Sequence, residues 1–376
     1  MTYLDNAATT FVKPPEVYKA VNDALRTCGN SSRGGAETTL RADNVIFGAR
    51  ERVCELFGAE SPEQVVFTHN ATYALNIAIK GVIRRGNCVI SGYEHNSVVR
   101  PIESMRKYGV TVSVARGKLF DREDFIKSFR NSIKKDTVCA VCTHVSNVFG
   151  YILPIAEVDR ICFEKGIPLI IDASQSAGSI EIRLDKLKAA VCICAPGHKG
   201  LYGPQGTGVL VCREGEKLNT FIEGGTGSAS SEMQQPTFMP DRLESGTHNT
   251  PGIAGLSAGV FYVLEKGCDA ILEHEQRLIL QAVSLLEKND DLKLFYTKEK
   301  GLQGGVLSFI SKSRSPDEIA HELSKREIAV RSGLHCSPLA HSTAGTTNGT
   351  TRVSVSDFTT ERDVERLASA LRSILR

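Results

Sequence analysis

Seven short apolar runs, separated by helical segments, dominate the middle of the chain. Each run is apolar at consecutive positions, which is typical of strands buried on both faces of a sheet. Segments 73–82 and 155–165 are two of the predicted crossover helices. Because parallel neighbours need crossovers of this kind, the pattern predicts an α/β domain with a mostly parallel seven-stranded sheet. The predicted strands are 65–68, 88–91, 110–115, 138–143, 168–172, 191–195 and 208–211.

A smaller α+β domain is predicted after about residue 260. A long amphipathic helix is expected over 255–287, and another helix starts with a Ser315 cap, Pro316 at its first position and Glu318 three residues after the cap. Residues 15–260 are assigned to the large domain, and 1–14 with 261–376 to the small domain. Further predicted elements are a helix over 15–27, strands over 292–296, 306–310 and 351–355, and a closing helix from about 360.

Charge and hydropathy exclude some classes of partner. The 376 residues carry a net charge of +2, which gives no argument for nucleic acid or a membrane surface. No apolar run approaches the length of a membrane span. The start Met1-Thr-Tyr-Leu-Asp5 lacks the basic and apolar regions of a signal peptide. We therefore expect a cytoplasmic protein.

The eleven cysteines are expected to be mostly buried, reduced thiols, because many lie in apolar runs and an odd number cannot all pair. Cys139 and Cys142 have the spacing of half a zinc motif, but their strand-like context and the lack of a second nearby pair argue against zinc. We predict no metal site. Thr39, Arg41 and the charged stretch 50–55 are predicted to be solvated surface.

Two ionisable residues stand at the ends of predicted neighbouring strands. The run 168–172 ends in Asp172, and the run 191–195 is followed closely by Lys199. Ligands of open α/β sheets bind beyond the carboxyl ends of the strands. A lysine can form a Schiff base with pyridoxal 5'-phosphate (PLP), and an aspartate can keep the pyridine nitrogen of PLP protonated. The alternative is a purely structural ion pair.

Polar residues after three other strands favour the cofactor. Ala71 and Thr72 open a helix whose N-terminus suits a phosphate, although Thr72 alone could be a helix cap. His95 follows a strand and could stack on a pyridine ring, or be solvated. Asn147 follows another strand, where asparagine also occurs as an ordinary turn residue. Their convergence on one edge of the sheet makes independent coincidence a poor explanation.

The chain resembles the class V aminotransferase-like PLP enzymes, in particular the branch of cysteine desulfurases and selenocysteine lyases. The resemblance extends over nearly the whole chain and implies the fold type I architecture of aspartate aminotransferase. The combination of motifs is specific, whereas no single motif is. The matching stretches lie at 3–10, 70–76, 94–96, 146–150, 172–175, 197–199, 201–204, 242–249, 331–336 and 351–354.

The resemblance implies roles for residues around the cofactor. Lys199 would be the Schiff-base lysine and later the proton carrier, and Asp172 would hold the pyridine nitrogen. Gln175 would bind the ring hydroxyl, and His95 would stack on the ring and assist proton transfer. The phosphate would be bound by Ala71, Thr72 and His198, with Thr247 contributed by the partner subunit of a homodimer.

The resemblance also implies how the substrate is bound. Arg352 would clamp its carboxylate, a task that suits a planar guanidinium, and Asn147 would contact a substrate or cofactor oxygen. Cys336 would receive sulfur as a persulfide. Independently of the resemblance, Cys336 alone among the cysteines lies in a Gly- and Ser-rich, non-strand segment near an Arg and a His. Cationic neighbours favour the reactive thiolate form of a cysteine.

Some segments depart from the family pattern. Pro196 stands where many members carry Ser before Gly-His-Lys, which removes one hydroxyl contact to the phosphate. Ser32 stands where better-known members have His before Arg-Gly, and a serine cannot stack or exchange protons as a histidine does. The glycine-rich stretch 224–231 is expected to be mobile, at a subunit interface or over the active site; the alternative is an ordinary surface loop.

The function predicted is that of a cysteine desulfurase, which converts L-cysteine to L-alanine and transfers sulfur to Cys336 and then to an acceptor, with a sulfur-acceptor protein as one candidate. Alternatives on the same scaffold are selenocysteine lysis, cysteine sulfinate desulfination, epimerisation and transamination. A third hypothesis is a non-catalytic binding or scaffold protein, against which an intact Lys199 and Asp172 argue.

Overall fold

The computed structural model describes residues 1–31 and 35–375. The chain begins with a two-residue strand, β1 (Thr2–Tyr3), followed by helices α1 (Pro15–Thr27) and α2 (Glu37–Phe57). Pro15 stands at the first position of α1, where its missing N–H is not needed by the helix. Gly58 ends α2 in the left-handed conformation. The departure at Ser32 falls outside the described residues.

A seven-stranded sheet forms the centre of the large domain. Its strand order is β2-β8-β7-β6-β5-β3-β4, in which only β8 runs antiparallel to its neighbours. The predicted α/β fold with a mostly parallel sheet is confirmed. The strands are β2 (Val65–Thr68), β3 (Gly86–Ser91), β4 (Val110–Ala115), β5 (Thr137–Thr143), β6 (Leu169–Asp172), β7 (Ala190–Pro196) and β8 (Gly208–Cys212).

Four helices connect these strands and cover the sheet. Three begin at side-chain caps: Asn70 accepts a hydrogen bond from the backbone N–H of Tyr73 at 3.0 Å, His95 accepts one from that of Ser97 at 3.0 Å, and Asp121 accepts one from that of Asp124 at 2.9 Å. These caps fix where the chain turns from strand edge to helix. The helices are α3 (Ala71–Val82), α4 (Asn96–Ser104), α5 (Arg122–Ser132) and α6 (Ile155–Glu164).

The predicted single helix over 255–287 is wrong. The chain forms α7 (Thr250–Lys266) and α8 (Cys268–Leu286), separated by Gly267 with φ of 84°. That backbone conformation is costly for residues other than glycine and ends a right-handed helix. Residue 260 lies inside α7, and the domain limits at 14 and 260 stay a prediction.

The small domain has the predicted α+β character. Four antiparallel strands pair in the order β12-β13-β10-β9, and β1 from the start of the chain pairs in parallel with β11. The capping box at Ser315 and Glu318 is present. The elements are β9 (Leu292–Phe295), β10 (Val306–Ser311), α9 (Pro316–Ser324), β11 (Ile328–Ala329), β12 (Arg331–Gly333), α10 (Pro338–Ala344), β13 (Thr350–Ser354) and α11 (Glu361–Ile374).

The large sheet is packed on both faces by apolar clusters. Cys139 belongs to one cluster and Cys142 to the other, so the three-residue spacing within β5 separates the two thiols by the sheet. All eleven cysteines are free thiols, seven of them buried. Over residues 1–31 and 35–375, no helix combines the length and apolar character needed to cross a membrane.

The prediction of a solvated stretch at 50–55 is wrong for two of its residues, Arg50 and Val53, which are buried. Arg50 is buried and pairs with the buried carboxylate of Glu244, and it also donates to the backbone oxygen of Val65 at 2.5 Å. Thr39 is buried as well. The sequence offers no local sign of the Arg50 pair, because Glu244 lies 194 positions away.

Candidate active site

Asp172 and Lys199 lie at the same edge of the sheet. Asp172 is the last residue of β6, and Lys199 follows the end of the adjacent parallel strand β7 by three residues. Asp172 is buried, and one of its oxygens accepts a hydrogen bond from the backbone N–H of Ser174 at 2.9 Å. Lys199 is half-buried and lines a cavity with Gln175 and Thr10.

Burial makes the Lys199 amine easier to deprotonate. It lowers the pKa of Lys199 to about 8, against the opposing effect of the Asp172 carboxylate and with a small contribution from Arg352. An amine that exists partly in the neutral form near physiological pH can act as a nucleophile or as a base. The arrangement therefore matches what the predicted role of Lys199 requires.

His95 stands beside this pair at the start of α4. Its Nδ1 accepts a hydrogen bond from the backbone N–H of Ser97 at 3.0 Å, which leaves the ring proton of the neutral form on Nε2. Burial lowers the pKa of His95 to about 4, with Asp172 opposing the shift and Lys199 adding to it. The imidazole is thus neutral at physiological pH and free to stack or to exchange a proton.

The starts of α3 and α4 are joined by hydroxyl groups. The Oγ atoms of Thr72 and Ser97 are 2.9 Å apart, and Ser97 Oγ is also 2.9 Å from Nδ1 of His95. Ala71 and Thr72 are the first two residues of α3, whose N–H groups have no partner within the helix. This end of the helix suits an anion.

His198 provides a test of whether a phosphate would fit. Its Nδ1 is buried and has no hydrogen-bond partner among the residues that the structure describes. Burial lowers the pKa of His198 to about 4, so the ring is neutral, and one nitrogen can still donate a proton to an anionic oxygen. Buried polar groups seldom lack partners. The unpaired nitrogen, together with the start of α3, fits a phosphate-bearing cofactor.

The remaining predicted cofactor ligands occupy two different places. Gln175 donates through Nε2 to the backbone oxygen of Ala7 at 2.9 Å and lines the cavity of Lys199. Thr247 is exposed and lines other cavities, with Gly246 and His248. Pro196 ends β7 opposite Gly208 and brings no hydroxyl to the edge of the sheet.

Arg352 is buried in β13 and already holds two partners. It pairs with Asp5 at 2.7 Å and donates to the backbone oxygen of Asn147 at 2.9 Å, while its Nε has no partner within the described residues. Burial lowers the pKa of Arg352, and Asp5 opposes that shift. A guanidinium so fixed has an unused donor and a defined orientation, as a carboxylate clamp requires.

Cys336 is the exposed cysteine of the chain; the other ten are buried or half-buried. Cys336 and the preceding His335 both have left-handed backbone conformations, with φ of 57° and 51°. The backbone oxygen of Cys336 accepts a hydrogen bond from Asn96 N–H at 2.8 Å. Because Asn96 directly follows His95, this bond places the Cys336 backbone beside the strand-end groups.

Asn147 bonds to the same segment. Its Nδ2 donates to the backbone oxygen of His335 at 2.8 Å, and its Oδ1 accepts a hydrogen bond from Ser337 Oγ at 2.7 Å. The predicted contact of Asn147 with substrate or cofactor stays a prediction.

Sequence reasoning missed three polar residues of this site: Asp5, Ser337 and Glu94. Glu94 is fully buried, and its Oε1 accepts hydrogen bonds from Ser91 Oγ at 2.5 Å and from Thr143 N–H at 2.7 Å. Burial raises the pKa of Glu94 to about 8, and the Asp172 carboxylate adds to the shift. Glu94 could have been predicted from its position next to His95. For Asp5 and Ser337, the only indication in the sequence is that they lie in or beside motifs that match the family.

Known proteins resemble this chain over its whole length. The sequence model of the family described as "Aminotransferase class-V" matches residues 2–367. The chain belongs to the class V aminotransferase family. Two curated members of related sequence are each named "Probable cysteine desulfurase". The one from Methanothermobacter thermautotrophicus is 30% identical over 384 residues, covering 99% of this chain and 94% of the relative. The one from Pyrococcus abyssi is 30% identical over 386 residues, covering 100% and 94%.

A solved structure of this class V family shares the fold. The apo structure of cysteine desulfurase from Thermococcus onnurineus NA1 superposes with a TM-score of 0.92 at 29% identity, covering 99% of this chain and 94% of the other. This likeness confirms the fold type expected from the sequence.

Proposed function

We propose that this class V protein is a PLP-dependent cysteine desulfurase, which converts L-cysteine to L-alanine and takes the sulfur onto Cys336. The observation that carries the proposal is the hydrogen bond from Asn96 N–H to the Cys336 oxygen, at 2.8 Å. It ties the exposed cysteine of the chain to the residue next to His95, at the edge of the sheet that holds Lys199 and Asp172. The names of the related proteins support the same reaction.

The residues at the sheet edge fit PLP. When bound, PLP supplies an electron sink that stabilises negative charge on the substrate α-carbon. Lys199 would hold the cofactor covalently, and Asp172 would keep a proton on the ring nitrogen. The phosphate would lie at Ala71 and Thr72, and His198 Nδ1, which has no partner among the described residues, would donate to it. In addition, His95 would stack on the ring, Gln175 would bind its hydroxyl group, and Thr247 would reach the phosphate of a partner subunit.

Substrate binding would rest on Arg352. Asp5 and the Asn147 oxygen orient its guanidinium, and the unpartnered Nε supplies a further donor for the substrate carboxylate. Asn147 would add a contact to a substrate or cofactor oxygen. Lys199 would remove the α-proton at its neutral Nζ, a form favoured by the lowered pKa of about 8.

Cys336 would perform the sulfur transfer. Its thiolate attacks the substrate sulfur, a sulfur–sulfur bond forms, and the bond between that sulfur and the substrate β-carbon breaks. The electron pair of the broken bond passes to the carbon fragment, which becomes alanine after protonation. The sulfur stays on Cys336 as a persulfide, and the exposed position of this residue lets a sulfur acceptor, which could be a protein, reach it. We also propose a homodimer and a cytoplasmic location.

The test is alanine release from L-cysteine, L-selenocysteine and L-cysteine sulfinate by the PLP-loaded enzyme, with sulfide measured in the presence of a thiol reductant. The expected result is alanine and sulfide from cysteine, and loss of that activity in Cys336→Ala. The buried Cys162→Ala serves as a matched control that keeps Cys336. Alanine from selenocysteine or the sulfinate, without any from cysteine, would favour the alternative reactions. Full cysteine desulfuration by Cys336→Ala would refute the persulfide step.

A further inference from the structure

The residues that flank Cys336 are tied to the large domain by one side chain. We define the Cys336 segment as residues 334–337, which lead from β12 into α10. We infer that Asn147 and Ser337 are positioning residues that fix the Cys336 thiol relative to the Arg352 clamp. This inference rests on the proposed function, since it explains how the sulfur acceptor is aligned with a substrate held by its carboxylate.

Asn147 makes three hydrogen bonds to the small domain. Its Nδ2 donates to the His335 oxygen at 2.8 Å, its Oδ1 accepts from Ser337 Oγ at 2.7 Å, and its backbone oxygen accepts from Arg352 at 2.9 Å. The first two bonds lie on either side of Cys336, and the third holds the clamp. A single buried residue thus sets the distance between the clamp and the sulfur-accepting segment.

Ser337 uses its hydroxyl in an unusual way. It occupies the N-cap position of α10, where a serine side chain ordinarily accepts a hydrogen bond from the first turn of the helix. Here no such bond forms, and the fully buried hydroxyl donates to Asn147 instead. The Ser337 hydroxyl therefore bonds to Asn147 in the large domain and not to the first turn of α10. This indicates that Ser337 positions the Cys336 segment and does not cap the helix.

The backbone of the Cys336 segment needs such support. His335 and Cys336 are consecutive non-glycine residues with positive φ, a conformation that persists only where surrounding contacts fix it. Both of their backbone oxygens accept hydrogen bonds from the large domain, that of His335 from Asn147 and that of Cys336 from Asn96. Without the Asn147 bonds, we expect the segment to relax and the thiol to leave its aligned position.

Ser337→Ala tests the inference, with Ser342→Ala as the matched control. Ser342 is an exposed serine of the same helix whose hydroxyl donates to the Leu339 oxygen at 3.0 Å and accepts from the exposed Arg116 at 2.9 Å. We expect Ser337→Ala to lower kcat for alanine release from cysteine about 3- to 10-fold, the effect of one net hydrogen bond, with KM unchanged. Alkylation of Cys336 by iodoacetamide should keep its rate, because the thiol is exposed in either case. Ser342→Ala should change none of these quantities.

Two further measurements separate positioning from loss of stability. Hydrogen–deuterium exchange of the PLP-free protein should be faster around residues 334–337 and Asn96 in Ser337→Ala, at an unchanged melting temperature. In a double-mutant cycle, Asn147→Ala combined with Ser337→Ala should lower kcat by much less than the product of the separate effects. The inference would be overturned if Ser337→Ala had the same exchange rates and the same kcat as the wild type. It would also be overturned if the two substitutions lowered kcat by the product of their separate effects, or if the alkylation rate of Cys336 fell together with kcat.

The proposed function and the positioning inference fail in different ways. If the wild-type enzyme releases no alanine from cysteine, the proposed function is refuted, while the exchange comparison still decides whether Asn147 and Ser337 hold the segment. If the wild-type enzyme is active and the exchange of Ser337→Ala is unchanged, the function stands and the positioning role does not.

Discussion

The two halves of this active site are held in place by different kinds of interaction. Asp172 ends a strand of the large sheet, His95 and Lys199 follow other strands of it, and all three are buried or half-buried. The Cys336 segment is a loop whose cysteine is exposed and whose backbone has positive φ. The sheet fixes the first group through its hydrogen-bonded strands. Hydrogen bonds to Asn147 and Asn96, from outside the segment, hold the second.

The difference suggests that the two regions have separate roles, one in cofactor chemistry and the other in sulfur transfer. Lys199 and His95, which are proposed to exchange protons during the reaction, lie where burial lowers their pKa. Cys336, which is proposed to pass its sulfur to an acceptor, is exposed, and a few hydrogen bonds hold its backbone. Damage to the first region should therefore remove cofactor chemistry, whereas damage to the Cys336 segment should spare cofactor binding and impair sulfur transfer.

The largest expected effect is that of Lys199→Ala. Cysteine desulfuration should fall by at least about 1,000-fold, because the residue proposed to hold PLP and to move the α-proton is lost. Visible absorption of bound PLP, recorded after gel filtration, should disappear, while Cys336→Ala should keep it. Retained absorption in Lys199→Ala would remove the distinction between the two regions and would restore the non-catalytic hypothesis.

Asp5→Asn should have the next largest effect, because Arg352 is buried and Asp5 is the carboxylate that it contacts. We expect a loss of about 2–3 kcal/mol in the free energy of unfolding, which urea titration would measure, since a buried cation is left without its counter-charge. The KM for cysteine should rise as the guanidinium loses its orientation. Arg366, whose pairing with Glu327 is more exposed, provides a control: Glu327→Gln should cost well under about 1 kcal/mol.

Gly349→Ala tests the Cys336 region alone. Its φ is 83°, and an added Cβ would lie 2.8 Å from the backbone of Gly333, in the strand that leads to the segment. We expect a loss of about 2 kcal/mol in stability and slower desulfuration, with PLP absorption unchanged. Gly345→Ala, at φ of 72° with no atom within 4 Å of the added carbon, should cost about 1 kcal/mol. Equal effects of the two variants would contradict the role of the Gly333 contact.

Glu94→Gln should have the smallest effect on desulfuration and should appear instead as a pH dependence of stability. The pKa of Glu94 is raised to about 8 from an ordinary value near 4.5. Its favourable contribution is therefore complete below that ordinary value and is lost as the pH rises toward about 8. Glutamine does not titrate, so the stability of the variant relative to the wild type should rise as the pH increases from about 4.5 to about 8. Thermal unfolding across this pH range would show the difference, and a pH-independent difference would refute it.

The sequence predicts one region better than the other. Strand ends follow from local patterns, so Asp172 and Lys199 could be assigned to one sheet edge from the runs that precede them. Cys336 could be singled out as the cysteine in a Gly- and Ser-rich, non-strand segment near an Arg and a His. The bonds that hold it could not be predicted, because Asn147 lies 188 positions from His335 and 190 from Ser337. Local patterns also fail to predict the end of a helix at Gly267. The helical pattern of apolar residues continues across this glycine, although it separates α7 from α8.

The sequence by itself determined the seven strands, the class of fold and the candidate residues at the strand ends. The reason is that a strand buried on both faces consists of consecutive apolar residues, which can be recognised within the strand itself. Only the tertiary structure decided that Arg352 pairs with Asp5 and Arg50 with Glu244, and that Asn147 joins the clamp to the Cys336 segment. These contacts arise where distant parts of the chain pack together, and their energies depend on distances and burial that no local pattern records.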